Sequence, residues 1–396
     1  MGICDIHHRG TRLRPSAFNL GRFSSHLANH RRDFAKGRAA SARKEVANLR
    51  DPSENGFLSS SPAPSLESAA ATAVAEQPQP SRINIERPVV VTGASGLVGT
   101  HVCRALVEGG FKVRAVVRNA EKAALRLGHL KLEIRTGDIR DTEAVRSALR
   151  DGGALVHLAA IAIEKAGESY ESTNTDATTI LLEGARAAGI EHIVHMSQNG
   201  ASSKSPYRFL RSKGIAEDAV KSSGMKWTVF KPSVIFGPED EFVNVLARLV
   251  RLSPVIFPLP GGGTARFQPI AVDDVAKAVR KSLDTASAVG RTYVIGGPVP
   301  LTLRQMTERI LVAMNANRRL VGVSVGALRP LIVVAEKLLP NPPVTTSLLD
   351  LLKIDNVVPQ NDLESLGIEP IPFAPEELLY LRQITAGSAF RSLFGK

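Results

Sequence analysis

Thr92-Gly93-Ala94-Ser95-Gly96-Leu97-Val98-Gly99 is the stretch that decides the fold of this 396-residue chain. It follows the apolar run Val89-Val90-Val91 and leads into a helical period that continues to Glu108. A glycine triplet between a strand and a helix is typical of a loop that binds a dinucleotide. Its glycines permit a sharp turn, close approach of the pyrophosphate and tight helix packing. Because the first amides of the helix attract anions, Gly93 to Gly99 are the predicted phosphate loop.

The chain from Pro88 to Pro238 repeats this strand-then-helix pattern. Short runs of β-branched and other apolar residues alternate with helical periods, which calls for a parallel sheet with helices on both faces. Strands without polar alternation fit burial on both sides. The sequence therefore predicts an α/β fold, a Rossmann doubly wound parallel sheet. The predicted strands are residues 89–91, 111–117, 130–135, 154–158, 192–196 and 227–230, and the predicted helices are about 98–108, 142–149, 175–188 and 209–222.

Composition divides the chain into three parts. Residues 1–87 are rich in Arg, Ser, Ala and Pro with little apolar period, which predicts a disordered leader and linker. The NAD(P)-binding Rossmann domain is expected over residues 88–238. Residues 239–396 combine helical stretches with scattered strands such as Thr292-Tyr293-Val294-Ile295. They are expected to form a smaller, mainly helical C-terminal lobe on the substrate side, interleaved with that domain.

The formal net charge of +12 does not favour a nucleic-acid partner, because much of it lies in the predicted leader. The first fifty residues hold nine Arg and two Lys against Asp5, Asp33 and Glu45. Such a composition fits a transit peptide, and an extension without a function of its own is the alternative. The two cysteines, Cys4 and Cys103, are too distant for a disulfide framework or a metal site, which indicates a reducing compartment.

Hydropathy predicts a soluble protein without a transmembrane segment. Every apolar stretch falls short of the roughly 18 uninterrupted residues that a membrane span needs. We expect a cytoplasmic location if the chain is bacterial, and the matrix side of the mitochondrion if residues 1–87 are a transit peptide.

Arg118 indicates which dinucleotide is preferred. It ends the second predicted strand, where an acidic residue would bind the ribose hydroxyls of NAD, and Arg114 is close by. A guanidinium suits a 2′-phosphate, so NADP(H) is the preferred cofactor and NAD(H) stays possible. A solvated Arg at a strand end is the alternative. Asp138, followed by Ile139, ends the third strand and could accept the adenine amino hydrogen or serve only as a turn residue.

From Pro88 to about Pro298 the chain resembles the extended and atypical short-chain dehydrogenase/reductases, which include NAD-dependent epimerases and dehydratases. The shared runs are Thr92 to Gly99, Gly137-Asp138, His157-Leu158-Ala159-Ala160, Asn174, Lys231-Pro232-Ser233-Val234-Ile235-Phe236-Gly237-Pro238 and Val272-Asp273-Asp274-Val275-Ala276. The family usually has Arg where Lys231 stands. The resemblance implies that the cofactor also contacts Ile139, Leu158, Ala159, Ala160, Ser197, Pro232 and Val234. Asp273 and Asp274 are expected to cap the helix that follows them.

Within that superfamily the chain looks most like the dinucleotide-binding accessory subunit of mitochondrial complex I and its bacterial relatives. The runs that carry this likeness are Ser205-Pro206-Tyr207-Arg208-Phe209-Leu210-Arg211-Ser212-Lys213, Pro260-Gly261-Gly262-Gly263-Thr264-Ala265-Arg266-Phe267-Gln268-Pro269 and Gly290-Arg291-Thr292-Tyr293. The likeness implies NADP(H) binding and a place on a larger protein complex, but it does not imply turnover.

The proton-transfer residues of the family are incomplete in this sequence. Members that catalyse pair a Tyr with a Lys four residues later on one helix face. Phe209 stands four residues before Lys213, and Tyr207 stands six before it. Either Ser197 or Asn199 takes the place of the family's strand-end serine. Lys213 is expected to bind the nicotinamide ribose, with a solvated helix Lys as the alternative.

Two functions follow from these residues. The first is a protein that holds NADPH with little or no turnover, as a subunit of a larger complex. The second is an active reductase, epimerase or dehydratase that acts on a small carbonyl or a nucleotide-sugar-like substrate with Tyr207 and Lys213 as its catalytic residues. A regulatory binding module is a third alternative, and no metal site is predicted.

Overall fold

The computed structural model describes residues 86–164, 167–340 and 342–394. The strands are β1 (Val89–Thr92), β2 (Val113–Val117), β3 (Glu133–Thr136), β4 (Ala154–His157), β5 (His192–Met196), β6 (Lys226–Pro232), β7 (Ile235–Phe236), β8 (Ile256–Pro260), β9 (Arg266–Phe267), β10 (Ile270–Ala271), β11 (Arg291–Ile295), β12 (Leu301–Thr302) and β13 (Arg319–Val323). The predicted leader lies outside the described residues except for residues 86 and 87.

Seven of these strands form the main sheet. Their order is β3-β2-β1-β4-β5-β6-β11, and every neighbouring pair is parallel. The chain reverses its direction of travel across the sheet between β1 and β4. Open α/β sheets bind ligands at the carboxyl ends of the strands that flank such a point. The predicted Rossmann fold is confirmed.

Helices cover both faces of this sheet. The helices of the described residues are α1 (Leu97–Glu108), α2 (Ala120–Leu127), α3 (Thr142–Leu149), α4 (Ala177–Ala187), α5 (Arg208–Lys221), α6 (Val243–Leu252), α7 (Val272–Asp284), α8 (Leu303–Ala313), α9 (Val325–Leu338), α10 (Thr346–Leu351) and α11 (Ala386–Ser392). Those that build the cores on the two faces of the sheet are α1 to α5 and α7. Val89 and Val91 pack with α1, α2 and α7, whereas Val90 packs with α3, α4 and α5. Successive strand residues point to opposite faces, so the unbroken apolar run of β1 serves both cores.

The second half of the chain builds its own core and also completes the main sheet. Val243 of α6, Leu259 of β8 and Leu303 of α8 are fully buried in this further core. The predicted late strand became β11, which pairs with β6 at the edge of the main sheet. Helix α7 packs against α1 on one face of that sheet. No helix in the part of the chain that the structure describes is long and apolar enough to cross a membrane.

The segment after α10 forms hydrogen bonds with both β11 of the main sheet and helix α7. Asp362 accepts a hydrogen bond from the Val294 amide at 2.7 Å, which occupies the outer edge of β11. Asp274 accepts the Ile371 amide at 2.6 Å. The prediction that Asp273 and Asp274 cap the helix is wrong: α7 starts at Val272, and the cap position is occupied by Ala271. The buried Asp274 carboxylate serves the C-terminal segment instead.

Gly214 in α5 lies directly against the backbone of the preceding loop. A Cβ at this position would stand 2.1 Å from the Ser202 carbonyl carbon. We expect Gly214→Ala to lower the free energy of unfolding by about 1–3 kcal/mol, because backbone must move to admit the methyl group. Urea unfolding measures the change.

Gly326→Ala in α9 is the matched control. A Cβ there would meet no described atom within 4 Å. The control should leave stability unchanged or raise it by up to about 1 kcal/mol, because Ala favours helix more than Gly does. Equal effects of the two substitutions would contradict the packing argument.

Candidate nucleotide-binding site

The predicted phosphate loop forms a tight turn between β1 and α1. Gly93 has a φ of +70°, and a Cβ there would stand 2.7 Å from the Ala159 amide nitrogen. A Cβ on Gly99 would stand 2.2 Å from the Gly93 carbonyl oxygen. Gly96 takes the N-cap position of α1, where no described side chain caps the helix. The first amides of α1 are therefore open to an anionic ligand, and the cradle fits a dinucleotide pyrophosphate.

A buried hydrogen-bonded chain supports this turn from below. The Thr92 hydroxyl lies 2.9 Å from His157 Nδ1, and His157 Nε2 lies 2.9 Å from the Thr178 hydroxyl. Thr178 donates its only hydroxyl hydrogen to the Asn174 carbonyl at 2.7 Å, so it accepts from Nε2. Burial, with a smaller contribution from the nearby Lys213 charge, lowers the pKa of His157 to about 3. The neutral imidazole thus joins β1, β4 and α4.

Asn174 holds the chain that follows β4. Its side chain accepts the Ile161 amide at 2.8 Å and donates to the Ile161 carbonyl at 3.1 Å. It lies in a π-helical turn, Glu171–Asp176, that leads into α4. Such turns occur frequently at functional sites. The turn places the segment after Ala159 beside the phosphate loop.

Four charged side chains meet at the carboxyl ends of β2 and β3. Arg118 donates to Glu168, and Arg140 makes a forked contact with Asp138 whose shortest distance is 2.6 Å. Arg140 also donates to the Gly167 carbonyl at 2.8 Å. Hydrogen bonds from Arg140 lower the pKa of Asp138, despite burial that raises it, and the charge of Arg118 contributes. This is the end of the sheet where the ribose of a dinucleotide would lie.

The sequence suggested Arg114 as the neighbour of Arg118, but in the structure that neighbour is Arg140. Arg114 donates to Glu133 at 2.6 Å and to the Ala148 carbonyl at 3.1 Å. These contacts direct its guanidinium to the carboxyl end of α3. Arg140 lies two residues beyond Asp138, so it reaches the same cluster as Arg118.

Sequence reasoning missed Arg126, a positively charged residue that contacts the phosphate loop. Arg126 in α2 donates to the Ser95 carbonyl at 3.0 Å and also to Glu239. Glu239 has a φ of 70°, a conformation that costs energy for a residue other than Gly. Asp240 accepts amides of the same turn, including that of Phe242 at 2.8 Å, and so fixes it. The ion pair therefore connects the phosphate loop to the turn that follows β7.

Lys213 is buried beneath the end of β5. Its Nζ donates to the Met196 carbonyl at 2.6 Å, and only 5% of the residue is exposed. Burial lowers the pKa of Lys213 to about 8, although the Glu217 charge raises it. His195 lies beside it with its ring 5.1 Å from that of His157, and neither ring nitrogen of His195 has a partner among the described residues. Burial holds the pKa of His195 well below its usual value, and the Lys213 and His157 charges add to this.

The residues around Lys213 contact groups other than Lys213. Phe209, one turn earlier in α5, packs its ring 5.7 Å from that of Tyr170. Tyr207 is the N-cap residue of α5 and not part of the helix. The Ser197 hydroxyl donates to Glu217 at 2.7 Å. Asn199 donates to the Asn356 side chain at 2.8 Å, which ties it to the C-terminal segment.

The remaining residues that were predicted to contact the cofactor have the following surroundings in the structure. The Leu158 amide donates to the Thr92 carbonyl at 3.3 Å, and Ala159 lies against Gly93. Ala160 is exposed beside them. The Ile139 side chain is buried among α3 and α4. Pro232 and Val234 use their carbonyls to accept the amides of Asn199 and Ile270, both at 2.9 Å.

Comparison with known proteins identifies the class to which this geometry belongs. Residues 93–286 match a family model described as NAD(P)H-binding. The solved triphenylmethane reductase of a Citrobacter species, complexed with NADP(H), superposes with a TM-score of 0.60 at 21% identity, covering 74% of this chain and 99% of that one. Residues 93–286 form an NAD(P)H-binding domain, and the chain is related to the atypical short-chain dehydrogenase/reductases, as its sequence predicted.

Sequence relatives narrow the class further. The mitochondrial NADH dehydrogenase (ubiquinone) 1 alpha subcomplex subunit 9 of Arabidopsis thaliana is 32% identical over 227 residues, which cover 55% of this chain and 56% of that protein. The subunit of the same name from Mus musculus is 28% identical over 306 residues, covering 74% and 79%. The chain is related to this accessory subunit of complex I, as expected. The match spans little more than half of the Arabidopsis protein.

The depressed pKa of Lys213 predicts how stability depends on pH. Between pH 8 and the ordinary lysine value the unfolded chain binds more protons than the folded chain, so stability rises with pH. Compared with Lys213→Met, the wild type should gain about 1.5 kcal/mol between pH 8 and 9.5, because the proton difference grows from about one half towards one over this range and a full proton difference contributes about 1.4 kcal/mol per pH unit.

Urea unfolding of both proteins at several pH values measures this difference. Taking the difference cancels the opposing contributions of Cys103, Tyr170 and Tyr293, whose pKa values burial raises. A constant difference across the range would show that Lys213 titrates at its ordinary pKa.

Proposed function

We propose that this protein holds NADPH on the Gly93 to Gly99 loop with weak or no turnover, as a subunit docked on a larger complex. Phe209 is the observation that carries the proposal. It occupies the helix position where catalysing relatives have Tyr, and its ring packs on Tyr170. A phenyl ring has no proton to transfer, so Lys213 lacks the hydroxyl that it would assist.

The buried environment of Lys213 supports the same proposal. A lysine that activates a tyrosine needs a hydroxyl within reach, whereas this Nζ donates to a backbone carbonyl. Tyr207 is a poor substitute, because it lies outside the helix. NADPH would supply a hydride when bound, and Lys213 would be left to bind the nicotinamide ribose or to hold the end of β5.

The preference for NADPH over NADH rests on Arg118 and Arg140. Two guanidiniums at the ends of β2 and β3 suit a dianionic 2′-phosphate. Asp138 is engaged by Arg140, so its carboxylate is partly neutralised where it would otherwise repel the phosphate. We assign the adenine contact to Asp138 and the pyrophosphate contact to the first amides of α1.

A mitochondrial location and membership of a complex extend the proposal. The related plant and mouse proteins carry the name of a mitochondrial complex I subunit. The Arg-rich, acid-poor composition of residues 1–87 favours a transit peptide. On this basis we place the chain on the matrix side, with residues 88–238 as the nucleotide-binding domain and 239–396 as the lobe interleaved with it.

Arg118→Ala should weaken NADPH binding about tenfold and leave NADH binding nearly unchanged, since a charge-assisted hydrogen bond to phosphate is lost. Isothermal titration of the full chain with each dinucleotide measures both affinities. Arg126→Ala is the control, because this cation contacts the phosphate loop and should affect both dinucleotides alike. An equal loss for NADPH and NADH in Arg118→Ala would contradict the proposed preference.

The proposal also predicts that catalysis is absent at Lys213. Hydride transfer from NADPH to a panel of small carbonyl and quinone acceptors should be no faster in the wild type than in Lys213→Ala. Phe209→Tyr restores the tyrosine–lysine spacing and provides the positive control, since a placed general acid contributes roughly 10²-fold or more. Wild-type turnover that Lys213→Ala abolishes would favour the active reductase, epimerase or dehydratase.

A further inference from the structure

Glu168 forms an ion pair with Arg118, which is the side chain that would bind the 2′-phosphate under the proposed function. It lies on the short segment between β4 and the π-helical turn, fifty residues from Arg118 in sequence. Its carboxylate accepts from Arg118 and lies 3.9 Å from Arg140. The Gly167 carbonyl also accepts from Arg140, so backbone and side chain both hold this segment against the cluster.

We infer that Glu168 is a specificity-determining residue that competes with the 2′-phosphate for Arg118 and so limits the preference for NADPH over NADH. The inference rests on the proposed binding of NADPH at Arg118. A carboxylate and a phosphate present similar acceptor oxygens to one guanidinium, and both cannot take the same donors. NADH has a hydroxyl at this position, which can donate to a carboxylate and leaves the Arg118–Glu168 pair intact.

The balance of charges around Arg118 predicts that Glu168 lowers the affinity for NADPH. Arg118 and Arg140 carry two positive charges, and Asp138 and Glu168 carry two negative charges. A phosphate monoester therefore enters a cluster without net positive charge and brings nearly two further negative charges. Removing the charge of Glu168 leaves the cluster positive and frees the Arg118 donors.

Of the two acids in the cluster, Glu168 is the one that a 2′-phosphate can displace from its arginine. Asp138 is held by three contacts from the Arg140 guanidinium, at 2.6, 3.0 and 3.2 Å. Glu168 accepts from Arg118, whose side chain is 55% exposed and has one ion pair among the described residues. The Glu168 side chain is only 19% exposed, so its charge is less screened by water than that of a typical surface acid.

Glu168→Gln in the full chain tests the inference. We expect this variant to bind NADPH about fivefold more tightly, the size of one partly exposed charge interaction, with NADH binding unchanged or weaker. The fragment 2′,5′-ADP should show the same gain, because it carries the 2′-phosphate without nicotinamide. Titration calorimetry of the three probes measures these ratios.

Glu171→Gln is the matched control, because it removes the same charge three residues away. Glu171 pairs with Arg208 and not with Arg118, so its loss should change neither affinity. Glu168→Ala provides a second variant if the Gln side chain still blocks Arg118. Thermal unfolding of each variant shows that the fold is retained.

A double variant separates this inference from the proposed function. In the Arg118→Ala background, Glu168→Gln should give a clearly smaller gain for NADPH, because the charge near Arg140 is still removed but no Arg118 donors are freed. A gain of undiminished size there, or one that is equal for NADPH and NADH, would overturn the inference, while a selective loss in Arg118→Ala leaves the proposed function standing. If Arg118→Ala itself shows no selectivity, the proposed NADPH site fails together with the inference.

Discussion

The closeness of the turn after β1 to the backbone after β4 is the constraint on which nucleotide binding depends. Gly93 leaves no room for a Cβ against Ala159, and Gly99 leaves none against Gly93. These contacts bring the first amides of α1 to the point where the strand order reverses. Any larger side chain at either glycine would move the first amides of α1 away from the carboxyl ends of β1 and β4.

The fold and the phosphate loop were predictable because they depend on local patterns. A strand, a glycine turn and a helix occupy consecutive residues, and apolar periodicity marks each element. The same logic found the strand at Thr292 to Ile295. It could not place that strand in the main sheet, because pairing of β11 with β6 joins residues more than sixty positions apart.

The parts of the site that sequence reasoning missed depend on such long-range contacts. Arg126 reaches Ser95 and Glu239, which are 31 and 113 residues away. Glu168 reaches Arg118 through a loop with no motif of its own. Tyr170, which shields Phe209, follows the same loop. Charged residues of this kind look like ordinary surface residues in a sequence, and only the folded chain shows which residues they contact.

Under the proposed function, Phe209 and Lys213 illustrate how a nucleotide-binding site can persist without its proton-transfer residue. The lysine keeps its place on α5 because the Met196 carbonyl and the buried wall around it hold its ammonium group. Removing a hydroxyl from the neighbouring turn leaves that hydrogen bond intact, and the ring left behind gains packing against Tyr170. The phosphate loop lies on another element and is unaffected by the change. Because binding and proton transfer use separate elements of the fold, the chain can retain the first without the second.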